Sequence, residues 1–177
     1  MKLFSVVFQD FRLLAFSAKD NILLGKEDEN GDENVDRLFE KTGILKKIDS
    51  LPKGRDTMMF KQFDKEGVEL SGGEQQKMAI ARALYKDAPV IILDEPTAGM
   101  TAAETYKTGE MIKELLADHT VMVVEHDMDF VKQVAQTVTV LHHGQLLAEG
   151  TFEEVEKDPR VIQVYLKDDS DEEAKEA

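Results

Sequence analysis

The sequence predicts an α/β protein with a mostly parallel sheet and a helical segment inserted ahead of most of its strands. From Pro89 onward, short aliphatic runs alternate with stretches of helical period, which is the βαβ rhythm of a parallel sheet. Before Pro89, apolar residues recur at helical spacing instead. With 177 residues, 42% of them hydrophobic, the chain is long enough to bury one substantial core.

The individual elements follow from local residue patterns. Clustered β-branched residues predict strands, apolar residues every three or four positions predict helices, and glycine, proline and charge together predict loops. In chain order these patterns predict a strand at Ser5–Phe8, short helices between Ser17 and Leu51, a loop over 52–69, a helix from Ser71 to about Lys86, a strand at Val90–Leu93, a helix at Ala102–Leu116, a strand at Val121–Val124, a helix at Met128–Val134 and a strand at Val138–Leu141. The helical subdomain is therefore predicted at about residues 17–86.

The last third of the chain predicts a hairpin, two short helices and a tail. His143-Gly144 reads as a tight turn, so an antiparallel edge is expected to close the sheet. Short helices are predicted at Phe152–Lys157 and Val161–Leu166, with Pro159 between them. The folded domain is expected to end at residue 166, and the acidic residues 167–177 are predicted to form a disordered tail.

Charge and composition argue against several classes of protein. Thirty-six acidic and 22 basic side chains give a net charge of −14, which repels a nucleic-acid backbone, so no nucleic-acid partner is expected. The absence of cysteine excludes disulfides and thiolate metal sites and suits the cytosol. The apolar runs are too short to span a bilayer, so we expect any link to a membrane to come through a partner.

The segment Leu70–Gln76 carries the sharpest chemical signal. It places Ser71, Gly72 and Gly73 at the start of a predicted helix. Two glycines let the backbone approach an anion closely, and the free N–H groups at a helix N-terminus attract phosphate. The alternative interpretation is an ordinary serine N-cap followed by a flexible glycine pair.

Two acids follow the predicted strand Val90–Leu93. In open parallel sheets ligands bind at the carboxyl ends of the strands, and this strand delivers Asp94 and Glu95 there. Phosphoryl transfer needs one acid to help hold Mg²⁺ and another to position or deprotonate the attacking water. Asp94 suits the first role and Glu95 the second. An acidic helix-capping pair is the alternative.

Together these segments resemble the ABC ATPase family. Leu70–Gln76 matches its signature motif and Val90–Glu95 its Walker B motif. The resemblance implies a P-loop NTPase-like (RecA-like) fold with the inserted ABC helical subdomain. It also implies ATP and Mg²⁺ as cofactors, with Ser71, Gly72, Gly73 and Glu74 contacting the nucleotide.

The same resemblance extends to two further residues. Gln9 is similar to the Q-loop glutamine, which senses the metal and the γ-phosphate and couples to the transport partner. His126 is similar to the switch histidine and is expected to bond the γ-phosphate. Without the resemblance, such a glutamine is most often a surface residue and such a histidine a structural one.

The resemblance implies partners as well as chemistry. A second ABC ATPase subunit would form a head-to-tail dimer, in which each signature motif faces ATP bound by the other subunit. Transmembrane permease subunits would hold the protein at the cytoplasmic face of the membrane. Hydrolysis of ATP would then drive transport.

The sequence departs from the family in one motif. No Gly-x-x-x-x-Gly-Lys-Ser/Thr phosphate loop occurs in the 177 residues, and only eight residues precede Gln9, so the domain is expected to be truncated at its N-terminus. We expect the strand that leads to this loop to belong beside the Walker B strand, so that its absence exposes an apolar sheet edge. The alternative function is a non-catalytic module that lends its signature face to a complete partner.

The two halves of the chain resemble different relatives. Residues 4–96 resemble the ATPase domains of bacterial ABC exporters, whereas residues 97–166 resemble urea and branched-chain amino-acid uptake ATPases. A recombined, chimeric or designed chain would explain both this switch and the missing phosphate loop.

Overall fold

The structure is a computed structural model that describes residues 3–62 and 64–166. Its strands are β1 (Phe4–Val7), β2 (Val90–Asp94), β3 (Thr120–Val124), β4 (Val138–His142) and β5 (Gln145–Gly150). Its helices are α1 (Ala18–Leu23), α2 (Gly31–Lys41), α3 (Leu45–Asp49), α4 (Gly72–Leu84), α5 (Ala102–Leu115), α6 (Met128–Val134), α7 (Phe152–Glu156) and α8 (Pro159–Val161), with a 3-10 turn at Gly54–Asp56 and a π turn at Ile162–Leu166. The chain divides into two compact units after His126.

Strands β1, β2 and β3 form a parallel sheet with β2 in the middle. Val7 lies opposite Leu93, and Leu93 lies opposite Val123, so the three carboxyl ends meet at one edge. Leu93 is fully buried, as expected for the central strand of a parallel sheet. The prediction that a further strand belongs beside the Walker B strand was wrong, because β1 and β3 already occupy both edges of β2.

An apolar edge is exposed along β3 instead. Within the described residues β3 pairs only with β2. Met122 and Val124 on this strand are 55% and 50% exposed. The exposed edge that we expected therefore lies one strand away from the predicted position.

The helices of the first unit pack around α4. Helices α1 and α2 both contact it, and the fully buried Ile22, Phe39 and Ile80 supply the large side chains of this core. Ser71 is the N-cap of helix α4, and its hydroxyl and the Glu74 carboxylate form a capping box. The predicted helical subdomain boundaries, about 17–86, stay a prediction.

Asn21 connects α1 to the segment that follows Gln9. It is fully buried, and its amide nitrogen donates to the carbonyls of Leu14, Phe16 and Ser17. Its amide oxygen accepts from the Leu14 N–H at 2.8 Å and from the Arg82 guanidinium at 2.8 Å. Because Arg82 lies on α4, one asparagine fixes residues 14–17 against the helix that the signature motif begins.

The second unit contains α6, the β4–β5 hairpin and the closing helices. His143 and Gly144 have φ values of 48° and 75°, the left-handed geometry of a type I′ turn, which confirms the predicted turn. The hairpin forms its own two-stranded sheet, so the prediction that it closes the parallel sheet was wrong.

Two further predictions concern the end of the chain. Pro159 is the first residue of α8 and does not separate two helices. Proline is tolerated there because an N–H at the first helical position has no acceptor within the helix. The predicted acidic tail, 167–177, lies outside the described residues. Among the described helices, none combines the length and the apolar character needed to cross a membrane.

Candidate functional site

The predicted site residues converge at the carboxyl edge of the parallel sheet. Gln9 follows β1, Asp94 ends β2, Glu95 follows β2, and His126 follows β3. Asp94 lies opposite Val124 in the sheet register. The three strand ends therefore deliver an amide, two carboxylates and an imidazole to one edge, as the sequence predicts for a ligand site in an open parallel sheet.

The backbone of Glu95 turns sharply out of β2. Its φ is 43°, a left-handed conformation that a residue with a side chain rarely adopts. Its N–H donates to the Val124 carbonyl at 2.9 Å, so the bond that ends the β2–β3 ladder also holds this turn. Residues in this region of backbone space cluster at functional sites and persist where surrounding contacts fix them.

Gln9, Glu95 and His126 are neighbours in space. The side-chain amide of Gln9 donates to the Glu95 carboxylate. The other Glu95 carboxylate oxygen lies 3.9 Å from Nδ1 of His126, whose side chain is 79% exposed. The structure thus brings three predicted residues together around one partly exposed carboxylate; their catalytic roles stay predictions.

The residues present suit a magnesium ion held mainly by a nucleotide. The Gln9 amide nitrogen donates to Glu95, which leaves its amide oxygen available as a hard oxygen donor, and Asp94 ends the neighbouring strand β2. Mg²⁺ is usually bound by one or two protein oxygens together with phosphates and waters. Among residues 3–62 and 64–166, no group of three or more His, Asp or Glu side chains is arranged to hold a metal. Other ligands would therefore have to complete the coordination.

The signature segment forms a self-capped helix start. Ser71 Oγ accepts from the Glu74 N–H at 3.3 Å, and the Glu74 carboxylate accepts from the Ser71 N–H at 2.9 Å. The N-cap interpretation therefore describes the local geometry, while the exposed Ser71 hydroxyl keeps its own proton for donation. The Glu74 carboxylate, 3.3 Å from Lys47, is engaged in holding the loop.

The two glycines of the signature segment have different surroundings. Gly72 is exposed, and a Cβ there would meet nothing within 4 Å. Gly73 is buried, and a Cβ there would lie 3.1 Å from a carboxylate oxygen of Glu104 in α5. Gly72 therefore leaves open space beside the helix start, whereas Gly73 permits close packing of α4 against α5.

The signature residues are not joined to the carboxylate site. In the part of the chain that the structure describes, none of the hydrogen bonds or ion pairs of Ser71 and Glu74 reaches Gln9, Glu95 or His126. The predicted residues thus fall into two groups.

One residue of the site was missed in the sequence. Glu125 precedes His126, and its side chain is only 1% exposed. Its carboxylate accepts from the N–H of His126 and from the hydroxyl and N–H of Thr97. An acid directly between a β-strand and the predicted histidine was the signal that could have identified it.

Comparison with known proteins identifies the family. The family described as ABC transporter matches residues 2–98. The chain belongs to the ABC transporter family. A second family, described as Branched-chain amino acid ATP-binding cassette transporter, matches residues 145–166. Both predicted resemblances are confirmed, and so is the predicted fold class of this ABC domain.

The similar proteins include ABC exporters. The chain is 34% identical over 154 residues to ABC transporter B family member 21 of Arabidopsis thaliana, covering 87% of the chain and 11% of that protein. It is 31% identical over 169 residues to an ATP-dependent lipid A-core flippase of Alcanivorax borkumensis, covering 95% and 28%. A solved bacterial Atm1-family ABC exporter with ATP bound superposes with a TM-score of 0.77 and 26% identity, over 94% of the chain and 28% of that structure. The chain therefore spans between 11% and 28% of the length of these proteins.

Proposed function

We propose that this ABC domain is the ATP-binding and ATP-hydrolysing component of a transporter. The observation that carries the proposal is the meeting of Gln9, Glu95 and His126 at the carboxyl edge of the parallel sheet. An amide, a carboxylate and an imidazole at that edge can orient a water against a phosphoryl group. The family assignment supports ATP as the nucleotide.

The residues then divide the chemistry among themselves. Glu95 accepts a proton from, or orients, the attacking water, and the Gln9 amide holds this carboxylate in place. His126 donates a hydrogen bond to the transferred phosphoryl group. Asp94 and Gln9 supply oxygen ligands for Mg²⁺, which neutralises phosphate charge when it is bound.

We further propose a head-to-tail pairing with a second ABC ATPase subunit. In the described residues, no hydrogen bond or ion pair joins Ser71 or Glu74 to the carboxylate site. This supports the arrangement, because one ATP can then contact the signature segment of one subunit and the acids of the other. Exposed Ser71 and Gly72 suit a ligand that arrives from outside the chain. Transmembrane permease segments would place the domain at the cytoplasmic face of a membrane.

A second candidate function has its own supporting observation. The 177 residues contain no Gly-x-x-x-x-Gly-Lys-Ser/Thr phosphate loop. A chain without that nest of amides and its lysine has no cradle for the β- and γ-phosphates. These 177 residues on their own would lend their signature face to a complete partner and hydrolyse no ATP.

A mixing experiment tests the role of the signature face. Added to a complete exporter ATPase domain, the chain should raise the rate of ATP hydrolysis. Ser71→Arg should remove at least about 90% of that increase, because a long cation replaces a hydroxyl where a single well-placed donor contributes about 10²–10³ in rate. The rate is measured by phosphate release.

Ser50→Arg is the matched control for this experiment. Ser50 is an exposed serine at the end of α3, and its hydroxyl donates to the Lys47 carbonyl. The control should retain the stimulation. Equal stimulation by wild type and Ser71→Arg would refute the signature role.

Nucleotide affinity tests the contribution of the missing phosphate loop. Isothermal titration of the 177-residue chain with Mg-ATP should give millimolar or undetectable binding, because no amide nest grips the phosphates. The chain should also pair or aggregate through the exposed edge of β3. Micromolar binding by monodisperse protein would contradict this prediction.

A further inference from the structure

Glu125 is a buried carboxylate that contacts His126 and the turn after Glu95. Its side chain is 1% exposed. It accepts from the backbone N–H of Thr97 at 3.1 Å and from the backbone N–H of His126 at 2.8 Å, and the Thr97 hydroxyl supplies another donor. Burying a carboxylate costs several kcal/mol unless donors replace water, and these donors do so.

Thr97 lies in the turn that Glu95 begins. It is buried, and the turn is closed by hydrogen bonds from the Ala98 N–H to the Glu95 carbonyl at 3.2 Å and from the Met100 N–H to the Thr97 carbonyl at 3.0 Å. Holding Thr97 therefore fixes the turn two residues beyond Glu95. The N–H of Glu95 itself is fixed to the Val124 carbonyl.

The contacts of Glu125 join two loops that each carry a site residue. One carboxylate oxygen accepts from Thr97, in the loop of Glu95, and the other accepts from the N–H of His126. A single rigid carboxylate thus sets the spacing between the loop after β2 and the loop after β3. Since side chains at a site must be held within about half an ångström to act together, this spacing matters for function.

We propose that Glu125 is a positioning residue that holds Glu95 and His126 facing each other. The inference deepens the proposed function and rests on it for its meaning. Glutamine cannot replace the carboxylate, because it has one accepting oxygen and one donating nitrogen. In Glu125→Gln, the new amide nitrogen would face the N–H of either Thr97 or His126, so that two donors would meet without an acceptor.

The test uses a residue that Glu95 holds. The Gln9 side-chain amide donates to Glu95, and its N–H signals are visible by ¹⁵N NMR. If Glu125 only stabilised the fold, Gln9 would keep its bond in a folded variant. If Glu125 positions Glu95, the Gln9 signals of folded Glu125→Gln should shift towards those of exposed glutamines.

The measurement compares ¹⁵N spectra of the full chain, in solution or on sedimented protein, without nucleotide. In Glu125→Gln we expect the Gln9 shift together with exchange of the His126 backbone amide about tenfold faster, as a lost hydrogen bond to a charged acceptor implies. Glu149→Gln is the matched control, because Glu149 accepts from the Thr139 hydroxyl at 3.0 Å on the exposed hairpin. It should leave both signals unchanged.

Two changes at Thr97 keep the test decisive if Glu125→Gln fails to fold. Thr97→Val removes the hydroxyl and nearly keeps the shape of the side chain, so it should shift the Gln9 signals in the same direction as Glu125→Gln but by less. Thr97→Ser keeps the hydroxyl and should give the wild-type signals. Unmoved Gln9 signals in folded Glu125→Gln and in Thr97→Val would overturn the positioning role. That result would leave the ATPase proposal standing, because no nucleotide enters the measurement.

Discussion

Replacing Asn21 by leucine should destabilise the first unit by about 4 kcal/mol. The substitution removes a buried side-chain amide that accepts from the Leu14 N–H, donates to the Leu14 carbonyl and accepts from the Arg82 guanidinium. Three polar groups lose their partner, at about 1–3 kcal/mol each. Burial lowers the pKa of the Arg82 guanidinium, so the loss of an acceptor there is more costly than at an exposed site. Since domains are stable by about 5–15 kcal/mol, the loss should be nearly sufficient to unfold the unit.

Urea unfolding followed by far-UV circular dichroism measures this effect. Asn34→Leu is the matched control, because Asn34 is half-buried on α2 and its amide donates to Asp28 at 3.0 Å. The control should change the unfolding free energy by about 1 kcal/mol or less. Equal effects of the two substitutions would contradict the central role of Asn21.

Gly67→Ala should lower the free energy of unfolding by about 3 kcal/mol or more and displace the residues just before the signature segment Leu70–Gln76. A Cβ at Gly67 would lie 1.9 Å from the Phe60 carbonyl oxygen and 2.5 Å from its carbon, so the backbone itself must move. The neighbouring Val68 pairs with the backbone of Met58 and Phe60. Its N–H donates to the Met58 carbonyl at 3.0 Å, and its carbonyl accepts from the Phe60 N–H at 2.9 Å. These bonds should break with the movement.

Thermal unfolding together with amide exchange at Phe60 and Val68 measures the effect of Gly67→Ala. Gly72→Ala provides the control, since a Cβ there meets nothing within 4 Å and no left-handed φ is involved. Its stability should rise or stay equal within about 1 kcal/mol. Comparable losses in the two variants would show that glycine as such, and not the clash at Gly67, determines stability.

The sequence predicts the elements of the parallel sheet well because their signals are local. The aliphatic run before Asp94 and the glycine pair before α4 define a strand and a helix start without reference to distant residues. The convergence of Gln9, Glu95 and His126 was also predictable, because parallel strands end at one edge. The motifs around these residues identified them as candidate site residues.

The predictions from sequence were wrong where the fold depends on pairing between distant segments. Nothing in the pattern of β2 reveals that β1 and β3 take its two edges, so the expected position of a further strand was wrong. Hairpin β4–β5 forms through its own turn, but a turn does not state which other sheet the hairpin joins. Glu125 escaped notice because its importance comes from Thr97, 28 positions earlier.

The central position of β2 has a consequence for how the site responds to disturbance. Strand β2 has a neighbouring strand on each side. A protein that binds the exposed edge of β3 would therefore have to move β3 before Asp94 and Glu95 move. Fraying of β1 leaves the acids in place, because Asp94 pairs with Val124 of β3 and the Glu95 N–H donates to the Val124 carbonyl. The two carboxylates should therefore lose their geometry only when β3 itself leaves the sheet during local opening.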